Sequence, residues 1–161
     1  MTEITIKGLD NFFKACGKFI DLQKHSEPLL RGAGETIRKS ILESFTKETS
    51  PFGEKWKALK PSTLAQKKKE GKNNGILKRD GALSENWSTE FEKGEVIVTN
   101  NTQTKSGFKY GVVHQWGNKK RKIPQRAFLP IKANGEIQKD IKEVIKNDTK
   151  DYIKSILLKR G

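Results

Sequence analysis

The chain is short of the residues that metal and redox chemistry draw on. Of its 161 residues one is cysteine, Cys16, and two are histidine, His25 and His114. An intrachain disulfide is excluded, no Cys/His zinc site can be assembled, and a lone thiol fits a reducing compartment. No metal or cofactor is therefore expected. No apolar run approaches the ~20 residues that span a bilayer, so no membrane segment is expected. The opening MTEITIKGLD has no basic stretch followed by an apolar one and does not read as a signal peptide. Phosphate-loop, dinucleotide-turn, zinc-helix and nucleophile-elbow patterns are missing as well. Acidic residues are scarce beside basic ones, 19 against 33, for a net charge of +14. That excess fits a polyanion or an acidic protein partner, although lysine-rich loops are often only solvated surface.

The apolar residues that are present cluster with clear periods. Residues 3–7, Glu-Ile-Thr-Ile-Lys, alternate and predict a short strand that Gly8 breaks. Leu9, Phe12, Phe13, Cys16, Phe19 and Ile20 lie on one stripe of a predicted helix, which makes Cys16 a core thiol and not a nucleophile. Ser26-Glu27-Pro28 suits a second helix start. Leu30, Ala33, Ile37, Ile41 and Phe45 form its buried face, with Arg38, Lys39 and Glu43 opposite. This helix should stop before Ser50-Pro51. Trp56 and Leu59 follow as anchors, then a short helix from Pro61 that gives way to a mobile basic loop at 66–75. Residues 83–91 read as extended and Glu95–Thr99 as a strand, the two forming a hairpin across 92–94. Loops are expected at 100–109 and 118–122. A C-terminal helix carries Ile137, Ile141, Val144, Ile145, Tyr152, Ile153, Ile156 and Leu157, with Lys159 and Arg160 complementing its negative end.

The expected fold is α+β and a single domain over 1–161. Amphipathic N-terminal helices (9–48) and a C-terminal helix (135–159) pack on a small, mainly antiparallel β-sheet in a β-rich part (50–130) with long basic loops. Catalytic readings are weak. The neighbours of His114, namely Val113, Gln115 and Trp116, supply no second ligand, so a histidine hydrogen-bonded to the adjacent loop is the simpler reading. Asp80 and Glu85 could be imagined as a nuclease pair, but they sit in turn and strand-edge contexts.

Five blocks occur in order: Pro51-x-Gly53-x-x-Trp56-x-x-Leu59; Ser62-Thr63-Leu64-Ala65; Ile76-Leu77-x-x-Asp80-Gly81-x-Leu83; Tyr110-x-x-x-His114-Gln115-Trp116-Gly117; and Ile123-Pro124-x-Arg126-x-Phe128-Leu129. Together they resemble the phage virion morphogenesis and tail completion family, with its phage Mu G-like and phage P2 tail completion protein S-like members. Three positions depart from the family pattern: Asp80 where threonine is usual, Trp116 for phenylalanine and Ala127 for proline. All three keep turn and packing roles, so they leave the subfamily open. The resemblance implies a non-enzymatic, cofactor-free subunit acting in tail completion or at the head–tail junction. It would form rings with itself and other tail or neck proteins, in a virion assembled in the bacterial host cytoplasm. Trp56, Leu83, Tyr110, His114, Trp116, Gly117, Pro124 and Phe128 are the expected structural anchors. Lys67, Lys68, Lys69, Lys119, Lys120, Arg121, Lys122 and Arg126 are the expected partner or DNA contacts, with Arg126 paired to a carboxylate or an adjacent subunit. The alternative is a basic DNA-binding accessory protein of a phage or prophage. A hydrolase using His114 is a remote third reading.

Overall fold

The computed structural model describes residues 2–5, 26–92 and 94–158. The helix expected over Leu9 to Ile20, the burial of Cys16 and the roles of Lys159 and Arg160 lie outside them. Helix α1 (Ser26–Lys47) follows from the stripe that defines it: Leu30, Ala33, Ile37, Ile41 and Phe45 are all buried. Arg38, expected on the solvent face, lies at its edge and donates Nε to the Trp87 carbonyl at 3.1 Å. The helix ends earlier than the proline requires. Glu48 takes a left-handed φ of 52°, and the Thr49 N–H returns to the Ser44 carbonyl at 3.2 Å, satisfying an otherwise orphaned acceptor. Glu48 is then used twice as a tie. Its carbonyl accepts Trp56 N–H at 2.9 Å and its Oε1 accepts Ile76 N–H at 2.7 Å.

Three antiparallel strands, β1 (Thr2–Thr5), β2 (Ser88–Glu92) and β3 (Glu95–Asn100), form a sheet of order β1-β3-β2. In register, Thr2 faces Asn100 while Ser88 faces Thr99 and Glu92 faces Glu95. The β-branched run of β3 puts Val96 and Val98 at 0% exposure, where a stiff side chain packs well on a pleated surface. Helix α1 lies across β2 and β3, and its other flank meets the C-terminal helix. Gly34 lets it approach closely, since an added Cβ would lie 2.5 Å from Val96 Cγ2. The core centres on Phe128, whose ring stands 5.2 Å from Phe45 and 5.8 Å from Trp87. Trp56 meets Phe45 edge-on at 5.4 Å.

Several local expectations are corrected. Helix α2 (Pro61–Lys69) runs well into the segment expected to be a mobile loop, because Gly71 and the bond from Lys72 N–H to the Lys67 carbonyl supply a helix end there. Residues 83–91 are not all extended: α3 (Ala82–Glu85) is one helical turn that precedes β2. The Tyr110–Trp116 segment, placed in the β-rich part, is helix α4. The C-terminal helix α5 (Lys139–Leu158) starts later than residue 135. Asn134-Gly135 makes a turn first, and the Gln138 side chain then accepts Ile141 N–H at 2.8 Å as the cap. Val144, assigned to the buried stripe of α5, is 45% exposed.

Candidate functional site

The sequence blocks converge on one cleft. Each block is a turn or short helix set at an edge of the core, and the third, fourth and fifth come together opposite α2. The result is a cavity of about 720 Å³, lined in part by Leu59, Thr63, Lys67, Leu77, Asp80 and Leu83. Tyr110 and His114, one turn apart on α4, and Ile123, Pro124 and Arg126 complete its lining. A volume of this size suits a small ligand or a few side chains of a partner.

Gln115 positions this end of the molecule. It is fully buried, and its Oε1 accepts the N–H groups of both Phe128 and Leu129 at 2.9 Å. Its own carbonyl accepts the Gln125 side chain at 3.1 Å, and Arg126 N–H donates to the His114 carbonyl at 2.7 Å. Helix α4 is thereby sewn to the strand-like segment after it. Gly117 makes the turn between them at φ 72°, where an added Cβ would press on Gln125 N at 3.0 Å.

The expected contact residues separate into two groups. Lys68, Lys69, Lys119, Lys120, Arg121 and Lys122 are exposed. The last four belong to a tight turn, not an open loop. Asn118 and Ile123 exchange two bonds of 2.9 Å, Asn118 Oδ1 accepts Arg121 N–H, and Arg121 lies over the Phe108 ring at 5.1 Å. Lys67 and Arg126 stand apart, being buried at 6% and 7% exposure. Lys67 Nζ donates to the carbonyls of Asn73 and Gly75 at 2.9 and 2.7 Å, while Arg126 donates to those of Lys57 and Ala58 at 3.0 and 3.4 Å. Within the chain Arg126 thus uses loop carbonyls and not a carboxylate, one of the two partners expected for it; the other, an adjacent subunit, is not touched by these bonds. Burial lowers the pKa of both groups, and for Lys67 the positive charges of Arg79 and Arg126 add to the effect.

Among the expected anchors, Trp56, Leu83 and Phe128 are buried, and Trp56 Nε1 donates to the Ala127 carbonyl at 2.8 Å. Tyr110 and Pro124 are half-buried at the cleft. Burial, then the Asp80 charge, raises the pKa of Tyr110. Trp116 does not anchor the core. It is 42% exposed, because Gln115 and not Trp116 occupies the inward face of α4. His114 does not bond the adjacent loop through its ring as expected. Its Nδ1 is buried without a protein partner among the described residues. Burial, and then Arg126, push its pKa down to about 4. So weak a base is poorly matched to proton abstraction near neutral pH.

Asp80 lies within 2.5 Å of Lys72 and 3.8 Å of Arg79, whose guanidinium also pairs with Glu70. Lys72, and then Arg79, are the charges that hold the Asp80 carboxyl below its ordinary range. Asp80 is thus tied into an exposed ion-pair cluster with Lys72 and Arg79. No group of three His, Cys, Asp or Glu among the described residues could hold a metal ion. Sequence reasoning missed Lys60, Arg79 and Lys105 as wall residues. They stand in unpatterned loops, and nothing local marks them.

Three comparisons bear on this geometry. An uncharacterized protein of Methanocaldococcus jannaschii is 32% identical over 93 residues, covering 56% of this chain and 65% of that protein, just under two thirds of its length. No solved structure matches the chain significantly. The phage virion morphogenesis family matches residues 7–154, all five blocks included. With the cleft and its motif residues inside that match, the chain belongs to the phage virion morphogenesis family.

Proposed function

We propose that the protein is a non-enzymatic assembly subunit that completes the tail or joins it to the head, forming a ring with copies of itself against other tail or neck proteins. The observation that carries this reading is the family match over residues 7–154. The surface supports self-association. Val112 and Trp116, one turn apart on α4, are 37% and 42% exposed, an apolar pair left partly open to solvent. Assembly takes place in the bacterial host cytoplasm. Non-specific DNA contact through Lys68, Lys69 and the 119–122 turn is a weak accessory to it. Lys67 and Arg126 are excluded from that contact by their burial.

Deletion of the gene and negative-stain imaging of the resulting particles test the reading. Tailless heads, unjoined tails or tails of irregular length are expected, and normal infectious particles would overturn it. Within that experiment, Trp116→Glu should complement poorly while its thermal unfolding matches the parent protein. Full complementation would remove the α4 face from the assembly contact.

A further inference from the structure

We propose that the cleft is a docking pocket for a segment of another virion protein carrying a carboxylate side chain beside an aromatic or aliphatic one. Lys60, Lys67, Arg79, Lys105, Lys122 and Arg126 line it, against a single carboxylate, Asp80. Asp80 is shared by Lys72 and Arg79, and Arg79 also pairs with Glu70, so these ion pairs account for Arg79 alone and leave the other five cations without one among the described residues. Two of the six cations are buried and satisfied only by neutral carbonyls. A buried cation with no directly paired carboxylate is costly even where, as at Lys67, Glu48 and Asp80 lie near enough to favour its charge, and an incoming carboxylate offsets that cost with charge-assisted hydrogen bonds. A donor is in place, since one Arg126 Nη is not used by any described residue. Leu59, Leu77, Tyr110 and Ile123 supply apolar wall between the charges, which suits a side chain next to the carboxylate.

Shape favours a peptide over nucleic acid. A duplex presents its phosphates on a convex surface and would meet only the exposed lysines at the rim, whereas Arg126 and Lys67 lie at 7% and 6% exposure. A side chain can enter the concavity and reach them. The inference takes from the proposed function only the owner of the segment, a second virion protein.

The test titrates the isotope-labelled full chain with the dipeptide acetyl-Glu-Phe-amide, with acetyl-Gln-Phe-amide, and with a short DNA duplex. The glutamate dipeptide should shift the amide signals of Lys67, Leu77 and Ile123 and the ring signals of His114, and the glutamine dipeptide should do so several-fold more weakly. Reversing the exposed rim with Lys60→Glu, Lys105→Glu and Lys122→Glu should keep a dispersed spectrum and weaken binding on the order of tenfold. Lys105→Glu alone serves if the triple variant does not fold. Three results would each overturn the pocket: no localised shift up to the solubility limit, equal response to both dipeptides, or displacement of the dipeptide by the duplex. A null titration beside defective deletion particles sinks the pocket alone. Dipeptide binding beside normal particles sinks the assembly reading alone.

Discussion

Gln115 shows how much a single polar side chain can carry in this molecule. Its one carbonyl oxygen satisfies two buried backbone N–H groups, those of Phe128 and Leu129. Gln115→Met keeps the volume but strands both donors, so it should cost about 2–4 kcal/mol in urea unfolding. A loss under 1 kcal/mol on that ~1–3 kcal/mol-per-donor scale would mean that water replaces the oxygen. His114 gives a pH dependence. Its folded pKa, about 4, lies below the ordinary 6.5, so between those values the unfolded chain binds the proton first. The neutral-ring contribution is therefore fully present above the unfolded value and is lost as pH falls toward the folded one. His114→Gln should flatten the fall in unfolding free energy across that window, and an unchanged slope would place the burden elsewhere. The block 110–117 was legible as a unit, but not which of its residues turns inward. Gln115 and Trp116 exchange the roles that hydrophobicity alone assigns, because two orphan amides need an acceptor more than the core needs another ring.

Among the elements, α1 was the most legible, since Leu30 to Phe45 mark a buried stripe by spacing alone. Two glycines on that helix make a matched test. Gly32 has nothing within 4 Å of an added Cβ, so Gly32→Ala should stabilise by about 0.5–1 kcal/mol through helix propensity. At Gly34 the same methyl would lie 2.5 Å from Val96 Cγ2 and 2.6 Å from Thr89 Cγ2. Gly34→Ala should then destabilise by about 1–3 kcal/mol despite the better propensity. Val96→Ala in the same chain should restore part of the loss, and strict additivity of the two changes would argue against the close approach. Helix α2 was less legible. Its lysines at 67–69 and the Gly and Asn after them read as loop, but the Gly71 terminus and the two carbonyls on Lys67 Nζ hold an ordered end.

For the molecule as a whole, the +14 charge sets solubility and the range of partners more than it sets stability. Most ion pairs among the described residues are exposed, such as Arg31 with Glu27 and Lys47 with Glu43, and pairs of this kind contribute little. Thermal unfolding should therefore change little with added salt. Duplex binding, if the six exposed cations of α2 and the 119–122 turn all engage phosphates, should fall about 10³-fold between about 50 and about 200 mM salt. A salt-insensitive affinity would rule out the non-specific contact and point to sequence reading.

The sequence by itself determined the α+β class, the α1 stripe, the β2–β3 hairpin and the family, because periodicity and ordered motif blocks are local or linear properties. Only the tertiary structure decided that Lys67 and Arg126 are buried, that α4 is a helix turned on Gln115, and that the blocks enclose a cleft. Those outcomes depend on which carbonyls and amides are left unpaired once distant segments meet, and no window of neighbouring residues carries that information.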